Sequence, residues 1–454
     1  MLNSAYAWAR SLYFRLFDNP LIRRIIANSG YLFSATGISA IMSMLQGILA
    51  ARLLGPAMFG VLGSITTFTS TVNRFASFRM DELVVRYVGH YQEHGDTDRA
   101  AAVFKGASLL EMGGSVLAFA LIWTLAPVGA RFFAHDVSLA LWFRIYGSIV
   151  LANLISESAT GLLQIFDRFR TIAYITGVQS VLTLVLIGAA YFKDAGLIAI
   201  VLAYMVGKTA GALAFTAAAL WQARQSWGVG WWRSPLSLLQ SEKRSLLTFA
   251  FSTNISGTIS LVSKDSEVLW VAGFLGTTQA GYYKLALALS NLLQLPVSPL
   301  PKATYPELAR EIARRNWENV RYVLRQGSRL SAIYSVSTTL VLALFGGWII
   351  STVYGAEYLP TYPALVVLLV GFTFVNIFYW NRVALLSLSR PVFPTIVNFI
   401  GMMLKVSAIL VLVPQFGYMA FAFLLAGYYI FTVGIAAARV FLDLHTRMTS
   451  AGVA

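Results

Sequence analysis

Lys264, Asp265 and Glu267 lie within four positions of one another in "LVSKDSEVLWVAGFLG", a stretch otherwise built for an apolar environment, and Lys284 follows in "GYYKLALALSNLL". Arg74, Glu111, Arg144, Glu157, Lys208 and Lys405 are similarly set in apolar runs. A charge at the centre of a bilayer costs about 2.5–3.5 kcal/mol on insertion scales, so each must face a cavity or a partner. A carboxylate so placed can be neutralised by H⁺ or Na⁺, which changes the surrounding field. Asp265, Glu267 and Glu157 are therefore candidate ion-coupling groups. A guanidinium fork matches phosphate oxygens better than an ammonium does. Arg52, Arg74 and Arg144, with Lys264 and Lys284, are therefore candidate anion-binding groups. Plain packing competes with each assignment: Arg52 and Arg144 can snorkel to the interface, Lys208 and Lys405 can snorkel or pair between helices, and Asp265 and Glu157 can be held by Lys264 or an Arg.

The elements that must position these groups follow from composition. The 454 residues are 57% hydrophobic and only 12% charged, with a mean hydropathy of +0.69. About 25% charge is usual for a soluble domain, so a soluble enzyme, a nucleic-acid-binding domain and a disordered scaffold are excluded. The net charge of +15 reads as basic loops on one membrane face. With no Cys there is no disulfide or thiolate site, and the four His sit in no acid-rich constellation, so neither a metal nor another cofactor is expected beyond a coupling H⁺ or Na⁺.

Apolar stretches of spanning length fall near 28–51, 58–78, 104–126, 138–164, 171–192, 196–220, 246–272, 279–300, 324–350, 360–386, 392–413 and 416–440. Twelve crossings put both termini on one side. Arg52, Arg131 and Lys193 are the basic residues of the opposite loops, whereas residues 302–329 alone carry Lys302, Arg310, Arg314, Arg315, Arg321, Arg325 and Arg329. Both termini are thus expected inside. Residues 1–26, with Trp8, Phe14 and Phe17 among Arg10, Arg15, Arg23 and Arg24, read as an amphipathic helix on the inner surface.

Shifting the sequence so that Gly55 falls on Gly276 also brings Ala51 onto Ala272, Gly60 onto Gly281, Gly106 onto Gly327 and Gly196 onto Gly417. The chain is an internal duplication: residues 27–220 and 246–441 form two parallel six-helix lobes, joined by 221–245 and followed by a tail, 442–454. The expected fold is an all-α polytopic membrane protein with twelve transmembrane helices and a central cavity between the lobes. The shift puts Glu267 on Gln46 and Lys284 on Gly63, so the second-lobe charges are not required by the repeat. Glu267 lies nine residues before the Gly276 turn and Lys284 eight after it, a similar depth, which predicts a Glu267–Lys284 ion pair.

"LAARLLGPAMFG", "FRMDELVVRYVGHYQEHGD", "VSKDSEVLWVAGFLGTTQAGYYKLALALSNLLQLPVSPL" and "PKATYPELAR" resemble the polysaccharide transporter (Wzx-type oligosaccharide flippase) family of the multidrug/oligosaccharidyl-lipid/polysaccharide exporter superfamily. The resemblance covers roughly residues 25 to 440. It implies a protein of the bacterial inner membrane that flips undecaprenyl-pyrophosphate-linked oligosaccharides for O-antigen, capsule or exopolysaccharide. It implies alternating access coupled to an ion, a monomer, contact with membrane lipids, and polysaccharide polymerase and chain-length machinery as further partners. The family's Asp in helix 7 corresponds to Asp265, here crowded by Lys264 and Glu267. No Walker loop or nucleophile elbow is present, so neither ATP hydrolysis nor enzyme chemistry is expected. A multidrug or major-facilitator exporter is the alternative. A membrane glycosyltransferase is a third reading, disfavoured because the outer loops hold little acid beyond Asp136, Asp194 and Glu357.

Overall fold

A computed structural model describes residues 20–76, 80–240, 242, 244–246, 248 and 257–451, with side chains described among them for 37–449. Most of the expected surface helix at 1–26 lies outside the described residues. The molecule is an all-α membrane protein of twelve spans in two lobes. Span 1 (20–54) and span 2 (56–76) are one helix interrupted only at Gly55, whose φ of 67° lies in the left-handed region. Gly55 turns the chain at no steric cost, and Pro56 then starts span 2 where no amide hydrogen bond is lost. Span 3 is Thr97–Gly129, span 5 Phe169–Phe192 and span 6 Gly196–Trp227. Span 4 is broken into Ala140–Gly147, Ile149–Ala152 and Ser156–Ile165.

The second lobe repeats the plan. Span 7 (257–275) and span 8 (Thr277–Leu292) turn at Gly276, with φ 95°. Span 9 is Trp317–Val353, span 11 Phe393–Phe416 and span 12 Tyr418–Ala451. Span 10 is likewise broken, into Thr361–Ile377 and Asn381–Ser387. Between the second and third spans of each lobe lie the matching helices Met80–Glu93 and Leu300–Ala313. Span 3 is capped by the Asp96 carboxylate accepting from Arg99 N, and span 9 by Asn316 accepting from Asn319 N.

The turns at Gly55, 193–195, Gly276 and Gly417 share one end of the bundle, the turn end; the two matching helices, with the short connections 166–168 and 388–392, mark the other, the basic end. At the turn end the lobes meet on the symmetry axis. A Cβ at Gly60 would stand 1.8 Å from the Thr277 carbonyl oxygen, and one at Gly281 2.0 Å from that of Pro56. The repeat partners thus touch each other, backbone to backbone. Two equivalent hydrogen bonds flank them: the Tyr358 hydroxyl donates to Ala51 O at 2.9 Å, and a His135 ring nitrogen lies 2.8 Å from Ala272 O. Lys284 lies where span 8 crosses Gly63, and the missing side chain there makes room for its Cδ.

The linker packs on the first lobe at the basic end. Tyr87 bonds Ser245 at 2.9 Å, and Lys105 donates to Ser234 O at 3.2 Å. Burial and a hydrogen bond to Glu242 push the Tyr91 hydroxyl up to about 12.

Candidate functional site

A cavity of about 550 Å³ lies in the first lobe, and residues of span 7 close its far wall. Arg74, Asn153, Glu157, Gln179, Lys208 and Asp265 are among its polar lining groups. A second cavity of about 300 Å³ lies on the other side of span 7 and is lined by Lys264, Asn291 and Tyr429 among others. Arg74 and Asp265 line both. They are hydrogen-bonded to each other across the two lobes, so this pair forms the partition between the cavities.

Asp265 reaches this position because span 7 changes pitch. Residues Leu261–Asp265 form a π-helical turn, and such a turn disrupts the regular ladder of backbone hydrogen bonds. The Ser263 carbonyl accepts from the Lys405 ammonium of span 11 instead. The same ammonium pairs with Glu267, and both side chains are nearly sealed, 3% and 1% exposed. The second carboxylate oxygen of Glu267 accepts from the Tyr283 hydroxyl at 2.7 Å. In the first lobe the matching residue, Gln46, donates to Ser180 O of span 5 at 2.9 Å. One repeat position thus ties the first span of each lobe to its fifth, with a neutral amide in one and an ion pair in the other.

The expected Glu267–Lys284 pair is therefore corrected. The depths match, but the faces do not. Tyr283 points at Glu267, so the next residue is turned about 100° away around the helix. Lys284 instead faces span 2, with its ammonium 4.1 Å from the Phe59 ring centroid and 3.5 Å from Phe59 O. Of the partners open to Asp265, Lys264 or an Arg, the structure gives it Arg74.

The acids of the first lobe hold backbone. Glu111, 2% exposed, accepts from Glu157 N, Ser158 N and the Ser158 hydroxyl at 2.8, 2.9 and 2.6 Å. It thereby caps the helix that restarts span 4, where a negative charge meets free amides. Glu157 in turn accepts from Met80 N at 3.1 Å, at the start of Met80–Glu93, while lining the large cavity. In span 10 the break is held differently: Ser331 and Ser328 donate to Asn376 O and Ile377 O, and the Asn376 amide donates to Leu293 O.

Two candidate cations sit elsewhere. Arg52 donates to Val353 O at 2.7 Å and to Thr352 O, capping the carbonyl end of span 9 across the lobes, where positive charge is favoured. Arg144 lies over Trp123, 5.2 Å from its centroid, and donates to Trp123 O at 3.1 Å. Neither lines the two cavities just described. Lys208 does line the larger one, where it donates to the Tyr146 hydroxyl at 3.1 Å. Asp81, Asn153 and Gln179 also join the wall. Asp81 was visible within "FRMDELVV", whereas the two amides carried no signal until the spans were packed.

A sequence profile of polysaccharide biosynthesis proteins matches residues 48–363. Inner membrane protein YghQ of Escherichia coli K12 is 25% identical over 356 residues, covering 77% of this chain and 98% of that protein. Among solved structures, a multidrug resistance MATE family transporter of the MOP superfamily in its inward-facing conformation superposes with a TM-score of 0.75. It is 12% identical and covers 90% of this chain and 96% of its own. Lipid II flippase MurJ, in an inward closed conformation, superposes with a TM-score of 0.67. It is 16% identical, with coverage of 91% and 89%. At these identities the structural likeness carries the fold, which is the two-lobed fold described above.

Proposed function

The chain belongs to the family of polysaccharide biosynthesis proteins, and on that premise we propose that it is a flippase of the bacterial inner membrane. Its cargo is an undecaprenyl-pyrophosphate-linked oligosaccharide destined for a surface polysaccharide. The observation that carries this reading is the Arg74–Asp265 pair between the lobes, on a wall common to two polar cavities. A diphosphate offers Arg74 a doubly charged acceptor that can replace the single Asp265 carboxylate. The amides and hydroxyls of Asn153, Ser156, Thr160 and Gln179 suit sugar hydroxyls. The curated relative is an inner membrane protein and one fold neighbour is a lipid II flippase, which supports both location and cargo class.

Coupling follows from the same competition. Cargo on Arg74 leaves Asp265 without its partner, and a carboxylate in that setting is relieved by taking H⁺ or Na⁺. Release of that ion restores the pair and expels the cargo. Glu267 and Glu157, both engaged in structural bonds, are secondary members of this acid set. With the lobes joined at the turn end and the cavities below it, the alternating-access cycle starts from a form open toward the basic end. That end is the inner face if the Lys and Arg asymmetry sets orientation.

Arg74→Ala is expected to weaken binding of undecaprenyl diphosphate by at least about 2 kcal/mol, about thirtyfold in Kd, with Arg74→Lys recovering only part of it. Asp265→Asn is expected to keep binding but lose gradient-driven transport in proteoliposomes. Equal binding by Arg74→Ala at equal melting temperature rejects the cargo assignment. Transport of a lipophilic dye that undecaprenyl diphosphate does not inhibit would favour the small-molecule exporter instead.

Orientation has its own test. The chain has no Cys, so single Cys residues placed at Asp136, Asp194 and Glu357 report without background. All three are expected to react with an impermeant maleimide from outside the cell. Reaction of Cys placed within 302–326 from outside would invert the placement.

A further inference from the structure

A third cavity, about 470 Å³, lies on the seam between spans 2 and 7 and is walled almost wholly by hydrocarbon. Phe75, Phe132, Leu261, Leu269, Trp270 and Phe274 form most of its surface. Phe75, Phe132 and Phe274 are among the exposed large hydrophobic side chains, so the slot opens sideways into the lipid. Along span 7 it runs from Leu261 to Phe274, about 20 Å at 1.5 Å per residue. It therefore stands along the spans and crosses a large part of a hydrocarbon core about 30 Å thick. Its polar atoms are few. The Trp270 indole already donates to Ser266 at 3.0 Å, and Ser266 donates to Leu261 O at 2.9 Å.

The slot abuts the charged partition. Leu261 walls both the slot and the 300 Å³ cavity that holds Lys264, Asp265 and Arg74, and Phe75 of the slot adjoins Arg74 in sequence. Among the described residues Lys264 has no carboxylate ion-pair partner. One end of a long apolar channel thus meets two cations, and the rest meets lipid. An anionic head carrying a single long hydrocarbon chain has that shape. A charged head held between the lobes forces its chain to stay in hydrocarbon, since each exposed methylene costs about 0.8 kcal/mol.

Resting on the flippase reading above, we propose that the seam between spans 2 and 7 is the lipid slot of the cargo. The diphosphate sits at Arg74 and Lys264, and the polyprenyl chain leaves along Leu261, Leu269 and Trp270 toward the turn end. The sugars occupy the first-lobe cavity. The seam is then the path by which cargo enters sideways, and spans 2 and 7 are the elements that must part.

The test places the photoreactive residue p-benzoylphenylalanine at Phe75, Phe132 or Phe274 of the full chain in nanodiscs, with Leu344 on span 9, 76% exposed, as the lipid-facing control. The probe is radiolabelled undecaprenyl diphosphate. Labelling at the three slot positions is expected to exceed the control several-fold, and unlabelled probe, but not an equal excess of phosphatidylglycerol, is expected to remove it. In a second variant, Val262→Trp, which narrows the slot from span 7, is expected to weaken probe binding about tenfold without lowering the melting temperature. Saturable binding with labelling no higher than at Leu344, or labelling displaced equally by phosphatidylglycerol, overturns the slot and leaves the flippase reading standing. Absence of saturable binding to the unsubstituted protein overturns both.

Discussion

Lys405→Met is expected to destabilise the second lobe by about 3–5 kcal/mol, the range for removing one partner of a buried ion pair. The ammonium holds two acceptors at once, the Glu267 carboxylate and the Ser263 carbonyl exposed by the π-helical turn. Without it a sealed carboxylate retains only the Tyr283 hydroxyl, and the turn that presents Asp265 loses its tie to span 11. The measurement is the melting temperature of detergent-solubilised protein followed by size exclusion. Glu267→Met together with Lys405→Met is expected to recover most of the loss, because a matched apolar pair of similar volume is often neutral. If Lys405→Met melts with the parent, the pair does not hold span 7. Transport by the double variant then separates two roles. Recovered stability with lost coupling places Glu267 in the ion cycle, and recovery of both makes the pair a packing device.

Gly281→Ala or Gly60→Ala is expected to produce the largest conformational effect. Each added Cβ would stand about 2 Å or less from a backbone carbonyl oxygen of the opposite lobe, and no rotamer change can relieve a contact with backbone. The turn ends must separate. An equilibrium moves from 1:99 to 99:1 for about 5.5 kcal/mol, so a contact of this kind is enough to depopulate the form closed at the turn end. A Cys at Phe59, a position 4% exposed, is expected to go from slow to rapid maleimide labelling when either glycine becomes alanine. A folded Gly281→Ala protein whose Cys at Phe59 stays protected would show that the lobes accommodate the methyl some other way.

The fold was legible in the sequence because it is repetitive and apolar. The register that laid Gly55 on Gly276 and Gly196 on Gly417 picked out residues that all carry positive φ in the structure. The breaks in spans 4 and 10 were not legible. Asn153–Ile155 and Phe378–Trp380 contain neither Gly nor Pro, and what holds them open comes from other spans, Glu111 in one lobe and Ser328 and Ser331 in the other. The charges were legible as a set, because any charge in an apolar run is conspicuous. Their partners were not: Arg74 with Asp265 needs the docking of two lobes, and Lys405 with Glu267 needs the neighbour relations of spans 7 and 11. Residue counts from the Gly276 turn give the depth of Glu267 and Lys284, but not which face of span 8 Tyr283 and Lys284 present.

Lys284 and Gly63 are the same position of the duplicated unit and lie against each other at the axis. In a dimer of two identical six-helix chains, an isologous contact would present any residue to its own copy. Lysine there would bring two ammonium groups together with no glycine to receive either stem, and glycine there would leave no cation at all. Covalent fusion of the halves removes that constraint, since one copy can lose its side chain while the other gains a long one. A single lysine on the axis thus requires two halves of different sequence. Splitting the chain in the linker, at 228–230, and co-expressing the halves would preserve it, whereas no self-paired half could reproduce it.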